Sequence, residues 1–389
     1  MTLQEEKQLE NMIEWRRYLH AHPELSYKEY NTSQWLQKMV TSFGEFEIKP
    51  VGETSFVAAI NGHKTGAREV LAFRTDMDAL PIEEETDLSF ESTAPGVMHA
   101  CGHDVHMAML LGLAEWLGHN QEKFSNRIKL IFQSAEEVPP GGAVEMVQSG
   151  VLDDVAFVYG FHVFPNHPTG HVGIAEGAIT ASQDIIELEV FGKGTHGATP
   201  ECGVDPILVG SELISSLHHI VSRNISAYQS VVLSFGEFHS GDIFNIIPDK
   251  AVIKGNVRTT DPEIRTVIKS RVHEVVSGIC QAHNAKYALN YIKGYSPVIN
   301  DSKATEIAYT SALNSVGEPA IFSNPQKMVS EDFSEYTDRY PGCFMILGGG
   351  IEEDGYRYMN HHPKFDIDEK AMASGLAMYI QLVKDHSAL

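Results

Sequence analysis

The order of β-rich and helical segments constrains this chain more than any other feature. From about residue 184 to 295 it reads strand "DIIELEVFG", a helix at about 204–223, strands "SVVLSFGEFHSG" and "KAVIKGNVRTT", a helix at about 261–283 and strand "KYALNYIKGY". That β-α-β-β-α-β order is the ferredoxin-like split unit, which closes on itself as a compact α+β domain. On either side, strands and helices alternate. Before it come "TSFVAAI", "EVLAFRT", a helix near 104–119, "IKLIFQS", a helix near 142–149 and "DVAFVYGFHV"; after it come a helix at 301–315, "CFMILGG" and a final helix at about 368–385. Strands separated by helices predict a mostly parallel, helix-covered sheet. The expected fold class is α/β, with one domain split into residues 1–180 and 297–389 by an inserted α+β domain at 181–296. Within residues 8–42 the helical spacing breaks at "HPELS", where Pro23 ends one helix and a second begins.

A chain of 389 residues can bury two cores of ordinary size. Its 29 Lys+Arg against 52 Asp+Glu give a net charge of -23, and no basic run could neutralise several phosphates, so nucleic acid is excluded as a partner. The start, "MTLQEEKQLENMIEWRRYLH", lacks a basic region followed by an apolar core, so no signal peptide is expected. The longest apolar stretch, "MAMLLGLAEWL" at 107–117, is too short to span a bilayer and carries Glu115. Cys101, Cys202, Cys280 and Cys343 are too scattered for a disulfide scaffold. Together these features predict a cytoplasmic protein without a membrane partner.

Chemistry concentrates in "VMHACGHDVHM", residues 97–107, which packs three histidines, a cysteine and an aspartate together. Polar clusters also close three predicted strands: "RTDMD" after "VLAF", "SAEE" after "IKLIFQ", and "FHV" after "DVAFVYG". Open parallel sheets bind ligands at that edge, so Asp76, Asp78, Glu136, Glu137 and His162 can converge there. With the late "MNHHPKF", the inventory is Cys, His and carboxylate, which suits Zn²⁺ or another transition metal. Gly102, between Cys101 and His103, lets the backbone turn so that thiolate and imidazole face one point. No Cys-x-x-Cys pair or His-Glu-x-x-His helix is present. Neighbouring glutamates in a loop point in different directions, so one of Glu136 and Glu137 can bind metal while the other moves a proton. The structural alternatives are a buried, unreactive Cys101 and an acidic pair favoured by the dipole of the following helix.

Nine motifs then carry a resemblance over nearly the whole chain: "RRYLHAHPELSYKE", "FRTDMDALPIEEET", "MHACGHDVHMAMLLG", "FQSAEE", "GKGTHGATP", "NIIPD", "GNVRT", "SEDFSEY" and "HHPKFDIDE". In this order they resemble the metal-dependent amidohydrolases that include hippurate hydrolase, indole-acetyl-amino-acid hydrolase and N-acetyl-diaminopimelate deacetylase, within the aminoacylase and carboxypeptidase superfamily. The resemblance implies a zinc-exopeptidase-like catalytic domain and an inserted lid and dimerisation domain. It implies two divalent metal ions, Zn²⁺ or Mn²⁺, bridged by Cys101, with His103 and Glu137 on one and His162 and His361 on the other. Glu136 is then the general base, and Asp78 the carboxylate that orients a ligand. His196 stabilises the oxyanion of a neighbouring active site, while Asn245 and Arg258 hold the substrate. His20, His22, His99 and His106 are expected on helix surfaces or as supporting groups. Two departures, Ser330 before "EDF" and Thr75 where many members have Ala, bear on substrate preference.

The implied reaction is hydrolysis of the amide of a small N-acyl amino acid by a homodimer or higher homo-oligomer. A dipeptidase or carboxypeptidase could use the same site. A third reading makes Cys101 a nucleophile with a histidine base.

Overall fold

The computed structural model describes residues 3–66, 69–351 and 358–388. The chain divides into two units, the first formed by Met1–Ile179, Val298–Gln326 and Asp332–Leu389, the second by Thr180–Pro297 and Lys327–Glu331.

The first unit opens with α1 (Leu3–Ala21), α2 (Tyr30–Phe43), β1 (Glu47–Val51), β2 (Ser55–Asn61) and β3 (Val70–Asp76). It continues through α3 (His103–His119), β4 (Arg127–Gln133), α4 (Gly142–Gln148), β5 (Phe157–Pro168), β6 (Val172–Gly173) and β7 (Gly177–Ala178). The second unit supplies β8 (Asp184–Phe191), β9 (Thr195–His196), α5 (Pro206–His219), β10 (Val231–Ser240), β11 (Ile246–Ile247), β12 (Lys250–Thr259), α6 (Pro262–Ala282) and β13 (Lys286–Lys293). The chain returns to the first unit with β14 (Ile299–Asn300), α7 (Ser302–Ser315), β15 (Ile321–Phe322), α8 (Ser334–Thr337), β16 (Gly342–Gly350) and α9 (Ala371–His386).

The first unit's eight-stranded sheet has the order β1-β2-β4-β3-β5-β16-β6-β15. Its centre, β4-β3-β5-β16, is parallel, as is β6 with β15, while β1–β2, β2–β4 and β16–β6 run antiparallel. Successive side chains of a strand face opposite sides, and the core follows that rule. Phe56, Ala58, Leu71, Phe73 and Leu130 join α1, α3 and α9 in one cluster, whereas Val57, Ala72 and Ile131 join α4 and Tyr336 in another. The central strands are therefore apolar on both faces, as the unbroken "VLAF" and "LIF" runs require. Among the described residues, no helix is long and apolar enough to cross a membrane.

The second unit has a four-stranded antiparallel sheet of order β10-β12-β8-β13. Ile186, Leu188, Val190 and Ile253 pack on Leu213 and Leu217 of α5 and on Ile268 and Val272 of α6. Both helices begin with Asp followed by Pro: the carboxylates of Asp205 and Asp261 cap backbone N–H groups, and proline at the first helical position loses no hydrogen bond. Residues Lys327–Glu331 also pack in this unit, where Val329 O accepts from Ala181 N–H at 2.9 Å and Ser330 donates to Gln183 at 2.6 Å.

Candidate metal centre

In the first unit, the polar clusters gather at one edge of the parallel strands. β3 ends at Asp76, with Asp78 two residues on, and β4 ends at Gln133, just before the Ser134–Glu137 loop. His162 lies on β5, in register with Ile346 of β16. Gly102 makes the turn into α3 with φ 87°, in the left-handed region, and a Cβ there would lie 2.4 Å from Val163 Cγ1. Only glycine satisfies both constraints, and it joins Cys101 to His103, whose donor atoms lie within 4.8 Å of each other. His361 arrives from the far end of the chain, its N–H donating to Ala100 O at 2.7 Å.

Three overlapping groups have donor atoms within 4.8 Å of one another: Cys101, His103 and His162; Cys101, Glu137 and His361; and His103, Glu136 and Glu137. Cys101 Sγ is 3.4 Å from His162 Nε2, and His361 Nε2 is 3.1 Å from Glu137 Oε1. Both buried imidazoles have Nδ1 engaged, His103 with Asp78 O at 2.9 Å and His162 with Val163 O at 2.9 Å. Each Nε2 is thereby left to face the cluster, the arrangement usual for metal-binding histidine.

Two observations test whether a cation fits. His103 Nε2 is buried without a hydrogen-bond partner, and buried polar atoms are rarely left so. The electrostatics agree. Burial alone would lower the His103 pKa, but Asp76, Asp78 and Glu137 overcome it and raise it to about 10. Burial and the two glutamates push the Cys101 thiol well above its ordinary range. The pocket thus holds excess negative potential, which a bound cation would neutralise while displacing the proton from His103 and deprotonating the thiol. The donor set of sulfur, imidazole and carboxylate fits a divalent transition metal.

Asp76, His103 and His106 form a further cluster, but its groups are already committed. His106 Nδ1 bonds Asp76 at 2.7 Å and its Nε2 accepts from Val163 N–H at 2.9 Å, leaving no lone pair for a metal. Burial lowers the His106 pKa, in keeping with this neutral tautomer. Beneath it the Arg74 guanidinium joins Asp76 at 2.6 Å, Asp332 at 2.7 Å and Gln133 at 2.9 Å. Although burial opposes it, Arg74 with His103 and His106 holds Asp76 well below the usual carboxylate range.

Asp78 and Glu136 are both buried beside the cluster. His196, Asn245 and Arg258 belong to the second unit. There His196 is exposed on β9, in register with Ile246, and Gly197 N–H donates to Asn245 O at 2.8 Å, so His196 and Asn245 sit side by side. Arg258 is on β12, where it donates to Met328 O at 3.2 Å. Of the remaining histidines, His20 is buried between Asp104 and Glu84, His22 is exposed, and His99 is buried with neither ring nitrogen hydrogen-bonded. The four cysteines are free thiols. Sequence reading did not single out Ser26, Glu29, Arg74 or Asp332, all of which contact this centre or its supports.

A parallel sheet presenting thiol, imidazole and carboxylate donors beside a second buried carboxylate defines a metal-dependent hydrolase. Residues 72–385 match the profile of peptidase family M20/M25/M40, and the chain belongs to that family. It is 43% identical over 305 residues to the N-acyl-L-amino acid amidohydrolase of Geobacillus stearothermophilus, covering 77% of this chain and 82% of that protein. It is 38% identical over 367 residues to thermostable carboxypeptidase 1 of Saccharolobus solfataricus, covering 94% and 92%. The solved structure of the YXEP protein of Bacillus subtilis, a dinuclear metal binding peptidase from the M20 family, superposes with a TM-score of 0.84 at 31% identity, covering 98% of this chain and 99% of that one.

Proposed function

We propose that the chain hydrolyses the amide bond of N-acyl amino acids with two divalent metal ions, zinc or manganese. The observation that carries this reading is the convergence of the Cys101, His103, Glu137, His162 and His361 donor atoms in overlapping groups, with Glu136 beside them and the buried His103 Nε2 lacking a hydrogen-bond partner. Cys101, His103, Glu137, His162 and His361 would hold the two ions, their donor atoms lying in overlapping groups within 4.8 Å of one another. Such ions lower the pKa of water and polarise the carbonyl under attack.

Glu136 takes a proton from that water onto its carboxylate as the water oxygen adds to the acyl carbon. When the C–N bond breaks, the same carboxyl returns the proton to the leaving nitrogen, giving a carboxylic acid and a free amino acid. Asp78 holds the His103 ring through Nδ1. His196, supplied by a second copy of the chain in a dimer, donates to the oxyanion, and Asn245 and Arg258 bind the substrate carboxylate.

Likeness to a named carboxypeptidase supports a second reading, in which the acyl group is itself an aminoacyl unit. The cysteine-nucleophile reading is disfavoured, because burial and nearby carboxylates raise the Cys101 thiol whereas a nucleophilic cysteine needs a lowered pKa. The test is turnover of N-acetyl, N-benzoyl and longer N-acyl amino acids and of dipeptides, by enzyme stripped with chelator and reloaded with Zn²⁺ or Mn²⁺. Full activity after stripping would overturn the metal mechanism, and turnover of dipeptides alone would replace the amidohydrolase reading with the peptidase one.

A further inference from the structure

We propose that Glu29 and Ser26, in the turn between α1 and α2, are positioning residues that hold Glu136 in its reactive orientation, an inference that rests on the proton-transfer role given to Glu136 above. The loop that carries Glu136 has no regular secondary structure, yet its backbone is pinned on both sides of that residue. Ala135 N–H donates to Glu29 Oε1 at 2.8 Å, and Glu137 N–H donates to Asp78 Oδ2 at 3.0 Å. Asp78 Oδ2 in turn accepts from the Ser26 hydroxyl at 2.7 Å. Both pins therefore lead back to one short turn remote in sequence.

Two features separate this from ordinary packing. Ala135 has φ 52°, a left-handed conformation that a non-glycine residue keeps only where its surroundings impose it. Glu29 accepts from the Ala135 N–H, and the Ala135 carbonyl accepts from Gly142 N–H at 3.2 Å. Glu29 also stands at the position before α2, where a carboxylate ordinarily caps the helix, but its side chain makes no capping bond there. Glu24 takes that place, accepting from Asn31 N–H and Thr32 N–H. Fully buried, Glu29 turns inward and accepts instead from Ala135, from Tyr27 N–H at 3.1 Å and from the Thr54 hydroxyl at 3.0 Å. Burying a carboxylate is costly, and this one's bonds converge on the residue preceding Glu136.

The test uses metal-loaded protein and the variants Glu29→Ala, Glu29→Gln and Ser26→Ala, each alone and combined with Glu136→Gln. Release of the loop lets Glu136 wander, and misplacement by about 1 Å costs on the order of 10²-fold in rate, so Glu29→Ala lowers kcat by ~10²-fold with KM and metal content unchanged. Glu29→Gln recovers most of that loss, since its amide oxygen still accepts from Ala135 while the Thr54 hydroxyl turns to accept from the amide. Ser26→Ala, which keeps Asp78 but loosens it, lowers kcat by ~10-fold. In the Glu136→Gln background each change costs less than ~3-fold further, because the group being positioned is gone. Hydrogen exchange at the Ala135 amide accelerates in Glu29→Ala whatever Glu136 does.

Equal losses in both backgrounds, a Gln variant no better than Ala, a loss of kcat traced to lost metal, or unchanged exchange at Ala135 would each overturn the proposal. Parental turnover in Glu136→Gln alone would instead sink the role assigned to Glu136. If Glu29→Ala does not fold, Glu29→Gln and Ser26→Ala carry the same cycle.

Discussion

Replacing Gly102 by alanine isolates what the turn between Cys101 and His103 requires. Two penalties add there. An L-residue in the left-handed region costs ~1–2 kcal/mol, and the new methyl would lie 2.4 Å from Val163 Cγ1, with Phe365 Cζ at 3.4 Å. Relieving such an overlap in a packed interior costs ~1–3 kcal/mol. Against both stands the reduced freedom of the unfolded chain, which favours alanine by ~0.4–1 kcal/mol. Gly177 is the internal control, because it has φ 81° but nothing within 4 Å of a built Cβ. Gly177→Ala should therefore lose ~1 kcal/mol, and Gly102→Ala ~2–4 kcal/mol. In thermal unfolding the two variants should differ by on the order of 5 °C. Elemental analysis gives a second readout: Gly102→Ala would shift Cys101 and His103, both proposed metal ligands, and should lose metal, while Gly177→Ala should keep it. Equal shifts in both variants, or full metal content in Gly102→Ala, would refute the claim that contact with Val163 fixes this turn.

Cys101→Ala should lose metal as well as activity, and Glu137→Gln should weaken metal retention, whereas Glu136→Gln should keep its metal and lose ~10²–10⁴-fold in turnover; elemental analysis beside kinetics separates them. His20 supplies a pH test away from the metal. Burial opposes its charge, but Asp104 and Glu84 raise its pKa to about 9 from 6.5, so its contribution to stability is fully present below pH 6.5 and is lost as pH rises through about 9. Melting temperature should fall across that window, and the fall should shrink in His20→Gln. Mixing inactive His196→Ala subunits with inactive Glu136→Gln subunits should restore part of the activity if the histidine acts across a dimer. No recovery, with mixed dimers seen by native mass spectrometry, would confine His196 to its own subunit or remove it from catalysis.

The parallel centre of the sheet was legible because strands buried on both faces read as continuous apolar runs, as in "VLAF" and "LIF". β1 was not: its sequence "EIKPV" is mostly exposed and contains Pro50, which offers no ladder N–H and is tolerated because β1 is the sheet's edge. β6 and β15, of two residues each, are too short to show a period. The final helix starts at Ala371 rather than near 368, within the usual uncertainty of helix ends. In the candidate site, Cys101, His103, Glu136, Glu137 and His162 stood out because reactive residue types cluster where strands end. Arg74 and Asp332 did not, because their bond joins segments far apart in the chain and nothing local marks it. Glu29 was hidden differently, since a carboxylate before a helix reads as a cap, whereas in the fold its side chain is directed to Ala135 instead.

The place of β16 in the sheet has a consequence for biosynthesis. Its parallel neighbour β5, in register from Gly342 against Val158, leaves the ribosome roughly 180 residues earlier, an interval on the order of ten to forty seconds at ~5–20 residues per second. Throughout that interval the nascent chain carries "FVYGFHV" with one backbone edge unsatisfied, and such an edge can recruit other strands. Until the C-terminal segment emerges, that edge of β5 has no β16 to pair with. His361 emerges later still, so the candidate donor set comes together only after nearly the whole chain has been translated.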